Sequence, residues 1–300
     1  MKGAARLAWL GVLTFLTAST VAPPAQTRAA PCPDGGSNAR VRAGVSAAHD
    51  PDALSPAQAA AAGARLDRIV ATQHIVSAKK IHIPVYFHVT HYGRAGDVPA
   101  SAVHRQIAVL NASFGGRTGG ADTGFRFTLQ GIDRTNDASW YHHPDEKERD
   151  MKSRLHRGDG GTLNLYSADL GEQLLGWATF PWRYRDHESL DGVVVHVDSL
   201  AGGSIEHYDR GYSATHEIGH WLGLFHTFQD GCAKRGDRVA DTPPEREPGH
   251  GCPPAGRDTC TASGMDPIHN FMDYSYDTCM TQFTHGQSDR MRAAWAAYRS

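Results

Sequence analysis

His216-Glu217-Ile218-Gly219-His220-Trp221-Leu222-Gly223-Leu224-Phe225-His226 places three imidazoles and one carboxylate at spacings that fit a single metal ion. On a helix, His216 and His220 lie four residues apart on one face, while Glu217 projects about 100° round the axis, near the ion but not bound to it. A straight helix cannot bring His226 back to the same point. Gly223 can adopt positive φ and end the helix in a turn towards the metal. The apolar residues Ile218, Trp221, Leu222, Leu224 and Phe225 predict a helix packed into a core, as a rigid metal site needs. Three neutral imidazoles leave zinc its full charge and an open coordination position, the ligand count of a catalytic rather than a structural site.

Downstream lies Asn270-Phe271-Met272-Asp273-Tyr274-Ser275, a Met-containing turn. The long zinc motif followed by such a turn resembles the metzincin clan. Within that clan, His226-Thr227-Phe228, Gly236-Asp237, Asp241-Thr242-Pro243, Asp266 to Ser275 and Cys279-Met280 look like the pappalysin family of secreted metallopeptidases. The likeness is dense from Gly211 to Met291 and thinner back to Lys79. It implies an α/β metzincin-like fold: a twisted, mostly parallel sheet with an antiparallel edge strand, an active-site helix, and an irregular C-terminal subdomain after Gly223. It implies that Met272 lies beneath the zinc. Tyr274 would face the metal, ligating it at rest or donating a hydrogen bond to the tetrahedral intermediate; its alternative is an aromatic packing role. The implied activity is a zinc-dependent endopeptidase in which Glu217 takes a proton from the metal-activated water and passes it to the departing amine.

The same resemblance pairs Cys232 with Cys260 and Cys252 with Cys279, whereas spacing alone leaves all three pairings of four cysteines open. It also makes Asp277 a candidate for selecting a basic side chain after the scissile bond, with Thr278 as the other candidate for the pocket floor and a solvated loop residue as the plain alternative. Calcium is a second candidate ion, at Asp237, Asp241 and Thr242 in an oxygen-rich loop; ordinary turn chemistry explains the same residues.

The remaining composition fits this picture. With 30 Lys and Arg against 32 Asp and Glu, the formal charge is −2, and the chain lacks the basic footprint that nucleic-acid binding needs. Lys2 and Arg6 precede an apolar run from Leu7 to Ala22 with small residues after it, which reads as a secretory signal over 1–30 rather than a retained span. Residues 31–78 read as a pro-segment and 79–300 as the catalytic domain of a secreted, extracellular protein with no membrane association after signal removal. The unpaired Cys32 is either a thiolate that ligates zinc and enforces latency, or an ordinary free thiol or lipidation-like site. Ser55 to Val70 carries a helix-start signal and an apolar stripe. This predicts a helix that covers the cleft or assists folding, or else a mature N-terminal helix.

In the upper half, Lys79 to Val89, Phe125 to Ile132, Thr162 to Tyr166 and Gly192 to Val197 read as strands, the last a continuous apolar run suited to a buried sheet centre. Ser101 to Phe114 and the charged stretch from Pro144 to Arg157 read as helices. Gly171 to Pro181 is expected as the sheet's edge above the cleft, where protein or peptide substrates add as another strand.

Overall fold

The computed structural model describes residues 1, 39–42, 50, 53–72, 80–233 and 235–300. The chain divides into Met1–Pro31 and Cys32–Ser300, and all that follows concerns the second unit. The expected signal segment, apart from Met1, and Cys32 fall outside the described residues.

Among the described residues six strands form one sheet: β1 (Arg40–Val41), β2 (Ile81–His91), β3 (Phe125–Asn136), β4 (Leu163–Ala168), β5 (Leu174–Ala178) and β6 (Val193–His196), in the order β1-β5-β6-β4-β2-β3. β3, β2, β4 and β6 run parallel, while β5 is antiparallel to β6 and β1 antiparallel to β5. Alternation along each strand sends side chains to opposite faces. Val193 and Val195 of β6 join the larger core with Ile83, Val85 and Phe87 of β2, whereas Val194 joins Tyr166 and Trp177 on the other face. Both faces are therefore covered, which is why β6 reads as an unbroken apolar run.

The larger core is closed by α2 (Ala100–Ser113) and α5 (Tyr212–Trp221), through Val103, Ile107 and Leu110 on one and Ile218 and Trp221 on the other. The short helices α3 (Ala138–His142) and α4 (Glu148–Leu155) serve the opposite face with Trp140 and Met151. α6 (His285–Tyr298) begins with a reciprocal cap between Thr284 and Gln287. Between α5 and α6, among the described residues, the chain forms only isolated bridges such as Gly251–Ser275. Two interleaved disulfides, Cys232–Cys260 and Cys252–Cys279, with Cα separations of 5.5 and 5.6 Å, tie this irregular part together. Loops that bury little apolar surface gain stability from such closure of the unfolded chain.

One expectation needs adjustment. β5 is not the edge of the sheet in the full chain, because Arg40 and Val41 pair along its outer side, opposite Gly176 and Leu174. An open strand edge is a template for another strand, and the chain's own N-terminal segment fills it. α1 (Pro56–Thr72), the helix expected from Ser55 to Val70, packs behind the site: Ala59 clusters with Phe180 and Phe225. Leu66 is packed with Ala293, Ala294 and Tyr298 of α6. Asp67 accepts from Arg238 at 2.7 Å and Arg290 at 3.0 Å. It is residues 39–41 that enter the cleft.

Candidate active site

α5 starts after Gly211, whose φ of +80° turns the chain into the helix. It stops at a Schellman closure: the Leu224 N–H donates to the Gly219 carbonyl at 3.0 Å and the Gly223 N–H to the His220 carbonyl at 2.8 Å. Gly223 has φ +96°, the left-handed region that an L side chain adopts only with strain. This reversal brings His226 back to the helix. The Nε2 atoms of His216, His220 and His226 form a triangle with sides of 3.1, 3.1 and 3.2 Å, and all three rings are buried.

The geometry of that triangle suits a cation. The Nδ1 atoms of His216 and His220 lie 2.7 and 2.8 Å from the carbonyls of Phe271 and Leu224, so each Nδ1 carries the proton and each Nε2 presents a lone pair. Two lone pairs this close repel, and a positive ion between them relieves that repulsion. Three nitrogens bound tetrahedrally to zinc at its usual distance would be separated by about 3.3 Å, close to what is seen. Burial lowers the proton affinity of all three rings, to about 4 for His220, so they stay neutral and able to ligate. Among the described residues this is the one group of three or more His, Cys, Asp or Glu side chains placed to hold a metal. The residues present fit zinc.

Glu217 is fully buried beside the triangle. Its Oε1 accepts from the backbone N–H of Arg40 at 3.0 Å, while its Oε2 has no hydrogen-bond partner. Burial pushes its proton affinity well up, and the Arg40 N–H opposes that. The Tyr274 hydroxyl donates to the Ala39 carbonyl at 2.7 Å, and its ring lies edge-on to His226 with centroids 4.8 Å apart. Met272 is buried under α5, and a Cβ at Gly219 would collide with its sulfur.

Asp277 is buried, whereas Thr278 is exposed. Its Oδ2 accepts from the backbone N–H groups of Arg210 at 2.9 Å and Tyr212 at 3.5 Å. Its Oδ1 meets the Arg40 guanidinium at 3.0 Å. That guanidinium also donates to the Ser275 carbonyl at 3.0 Å and the Ser213 hydroxyl at 3.3 Å. Burial raises the carboxyl's proton affinity and the facing Arg40 pulls it back.

The calcium candidates turn to different partners. Asp237 accepts from the Thr242 hydroxyl at 2.7 and 2.8 Å, whereas Asp241 caps α6 by accepting from Thr284 at 2.7 Å and from the Gly286 N–H at 2.9 Å.

Several supporting residues escaped the sequence reading. Asn270 and Gln287 exchange two side-chain bonds of 2.9 Å, and the Asn270 oxygen also accepts from the Met272 N–H, so α6 fixes the Met-containing turn. Asp191 holds the end of α5 through Trp221 and pairs with Arg299. At Gly176 a Cβ would lie 2.7 Å from the Cγ of Glu217. A lone glycine inside the strand pattern Leu174-Leu175-Gly176-Trp177 was the available signal for such a close approach.

A mostly parallel sheet with an antiparallel rim, over a helix that presents two buried imidazoles and a glutamate and a turn that returns a third imidazole, defines a metzincin-like metallopeptidase. Residues 167–296 match the peptidase family model described as Pregnancy-associated plasma protein-A. Extracellular metalloproteases of Arthroderma benhamiae and Coccidioides posadasii are 41% and 44% identical over 230 and 227 residues. These alignments cover 75% and 73% of this chain, and 75% and 79% of the relatives. Among solved structures, Tannerella forsythia mature mirolysin in complex with a cleaved peptide is 31% identical, with a TM-score of 0.65 over 72% of this chain and 91% of that one. A promirolysin mutant from the same organism gives 28% and 0.70 over 81% and 88%. The chain belongs to this family, the pappalysins, and is an extracellular metalloprotease. Among the described residues, no helix is long and apolar enough to cross a membrane.

Proposed function

We propose that the chain is a zinc-dependent endopeptidase, with zinc on His216, His220 and His226 and a preference for a basic residue immediately after the scissile bond. The observation that carries the reading is the triangle of three buried imidazole nitrogens beside a buried Glu217 whose Oε2 is unpartnered. Zinc held there supplies Lewis acidity, which lowers the pKa of a bound water and polarises a carbonyl. Glu217 takes the water's proton through Oε2 and returns it to the nitrogen that leaves, the atom type that now faces Oε1 at 3.0 Å. The Tyr274 hydroxyl donates to the carbonyl oxygen as it gains negative charge. Asp277 receives the basic side chain, a role supported by the arginine it already binds. A peptide held along β5 by backbone bonds places few demands on its other side chains, which suits cleavage within proteins. Mirolysin, with its cleaved peptide, is a relative in which a peptide is bound.

The test is incubation of wild type and Glu217→Ala with casein and a peptide library, with and without a zinc chelator, mapping cuts by mass spectrometry. Internal, chelator-sensitive cuts before Arg or Lys, absent from a zinc-loaded Glu217→Ala protein, are expected. Substantial turnover by that variant would sink the role of Glu217, and removal of terminal residues only would sink the endopeptidase reading.

A further inference from the structure

α5 has to end at one place for the site to form, because Trp221 follows His220 directly and the reversal through Gly223 must bring His226 back. The last carbonyls of a helix have no partner within it and form its negative end. Two arginines meet that end here. Arg290 of α6 donates from Nε to the Gly223 carbonyl at 3.1 Å, and Arg299, just after α6, donates from Nε to the Trp221 carbonyl at 3.0 Å. The Arg299 guanidinium also meets both oxygens of Asp191, at 2.9 and 3.0 Å, and reaches the Gly160 carbonyl at 3.2 Å. Its central carbon lies 3.6 Å from the centre of the Trp221 ring. Asp191 in turn accepts from Trp221 Nε1 at 2.9 Å, and both side chains of the Asp191–Arg299 pair are fully buried. Trp221 is thus gripped at its carbonyl, its indole N–H and its ring face by residues 30 and 78 positions away.

Replacing a buried ion pair by apolar residues of similar volume often costs no stability, so what the pair adds over them is a fixed geometry. The geometry fixed here is that of the metal ligands. His220 precedes Trp221, and its Nδ1 bonds the Leu224 carbonyl at 2.8 Å, on the far side of the reversal. A shift of Trp221 therefore turns the His220 ring and displaces the path to His226 together.

We propose that Arg299 is a positioning residue for the metal site: paired with Asp191, it clamps Trp221 and so sets how firmly His220 and His226 hold zinc. This deepens the proposed function and rests on zinc occupying the triangle. A lysine at this position keeps the positive charge at the helix end but not the planar fork that bonds Asp191 and the Trp221 carbonyl at once.

The experiment measures zinc release from the zinc-loaded full chain into excess chelator, with denaturant unfolding of the zinc-free protein as a second readout. Arg299→Lys is expected to release zinc about tenfold faster than wild type, and Arg299→Met up to about a hundredfold faster. At saturating zinc, Arg299→Met should lower kcat about tenfold with KM within about twofold, the mark of misplaced reacting groups. Arg299→Met alone leaves the Asp191 carboxylate buried and unpaired, so Asp191→Asn is added to it. The double variant should recover most of the lost stability yet keep the fast release. Met151→Ala, which opens a cavity at a fully buried position on the opposite face of the sheet, should lower stability and leave release at the wild-type rate. Wild-type release from Arg299→Met, slow release restored by adding Asp191→Asn, or equally fast release from Met151→Ala makes Arg299 a packing residue and overturns the proposal while the zinc reading stands. If wild type takes up no zinc, or His220→Ala releases it no faster, both readings fall.

Discussion

Asp277→Asn tests the pocket most directly, because the carboxylate's two oxygens have separate duties. Oδ2 takes the backbone N–H groups of Arg210 and Tyr212, and Oδ1 faces a guanidinium. An asparagine of the same volume must turn its single oxygen to those backbone donors, so its NH2 faces the incoming arginine, donor against donor. With both side chains of the Arg40–Asp277 pair fully buried, losing one partner costs about 3–5 kcal/mol. That is a loss of kcat/KM of roughly 150- to 5,000-fold for peptides with Arg after the scissile bond. The assay compares matched peptides carrying Arg or norleucine at that position, with wild type and variant at equal zinc content. The norleucine peptide should change only a few-fold, because no charge is lost on it. If the variant keeps its preference for Arg, Asp277 does not select the substrate, and the bond to Arg40 is a folding contact only.

Other expectations are independent of that pocket. Gly176→Ala introduces a Cβ 2.7 Å from the Cγ of Glu217 and should lower kcat about a hundredfold at unchanged zinc content, since about 1 Å of misplacement suffices; kcat within twofold of wild type contradicts it. Buried imidazoles with lowered proton affinity keep their ligating form below the ordinary histidine range and lose it only as pH falls through about 4 for His220. Zinc content after dialysis should therefore hold to about pH 5 and fall by pH 4, and full zinc below pH 4 argues against these ligands. Burial raises Asp237 from 3.8 to about 7, so its contribution is present below its unfolded value and is lost as pH rises through about 7. In chelator, wild type should lose up to about 4 kcal/mol relative to Asp237→Asn between pH 4 and 8, seen by denaturant unfolding. Calcium bound at Asp237, the candidate with Asp241 and Thr242, would instead abolish that slope and raise Tm, so unchanged curves in calcium remove the ion from this loop.

The parts of the site legible in sequence are those made over short separations. His216 and His220 are one helical turn apart, Gly223 closes that turn, and His226 follows within three residues, so local geometry nearly determines the triangle. The strands were equally legible where burial on both faces left an unbroken apolar signature, as in β6. What escaped depends on pairing across the chain. Arg40 and Asp277 are 237 positions apart, and a two-residue strand has no periodicity to detect. Arg40 alone looks like a solvated charge in a polar leader, and Asp277 alone like a loop residue. Each becomes intelligible only when the other is buried against it. The edge of β5 escaped for the same reason: its residues announce a strand able to accept a partner, but a backbone template carries little information about which segment will take the place. The partner is fixed by three side chains outside the strand, Glu217, Tyr274 and Asp277, which together define one peptide bond and one basic residue. The chemistry that would select a substrate is thus also what holds Arg40 in register, and a change at Asp277 should loosen Arg40 and shift specificity together.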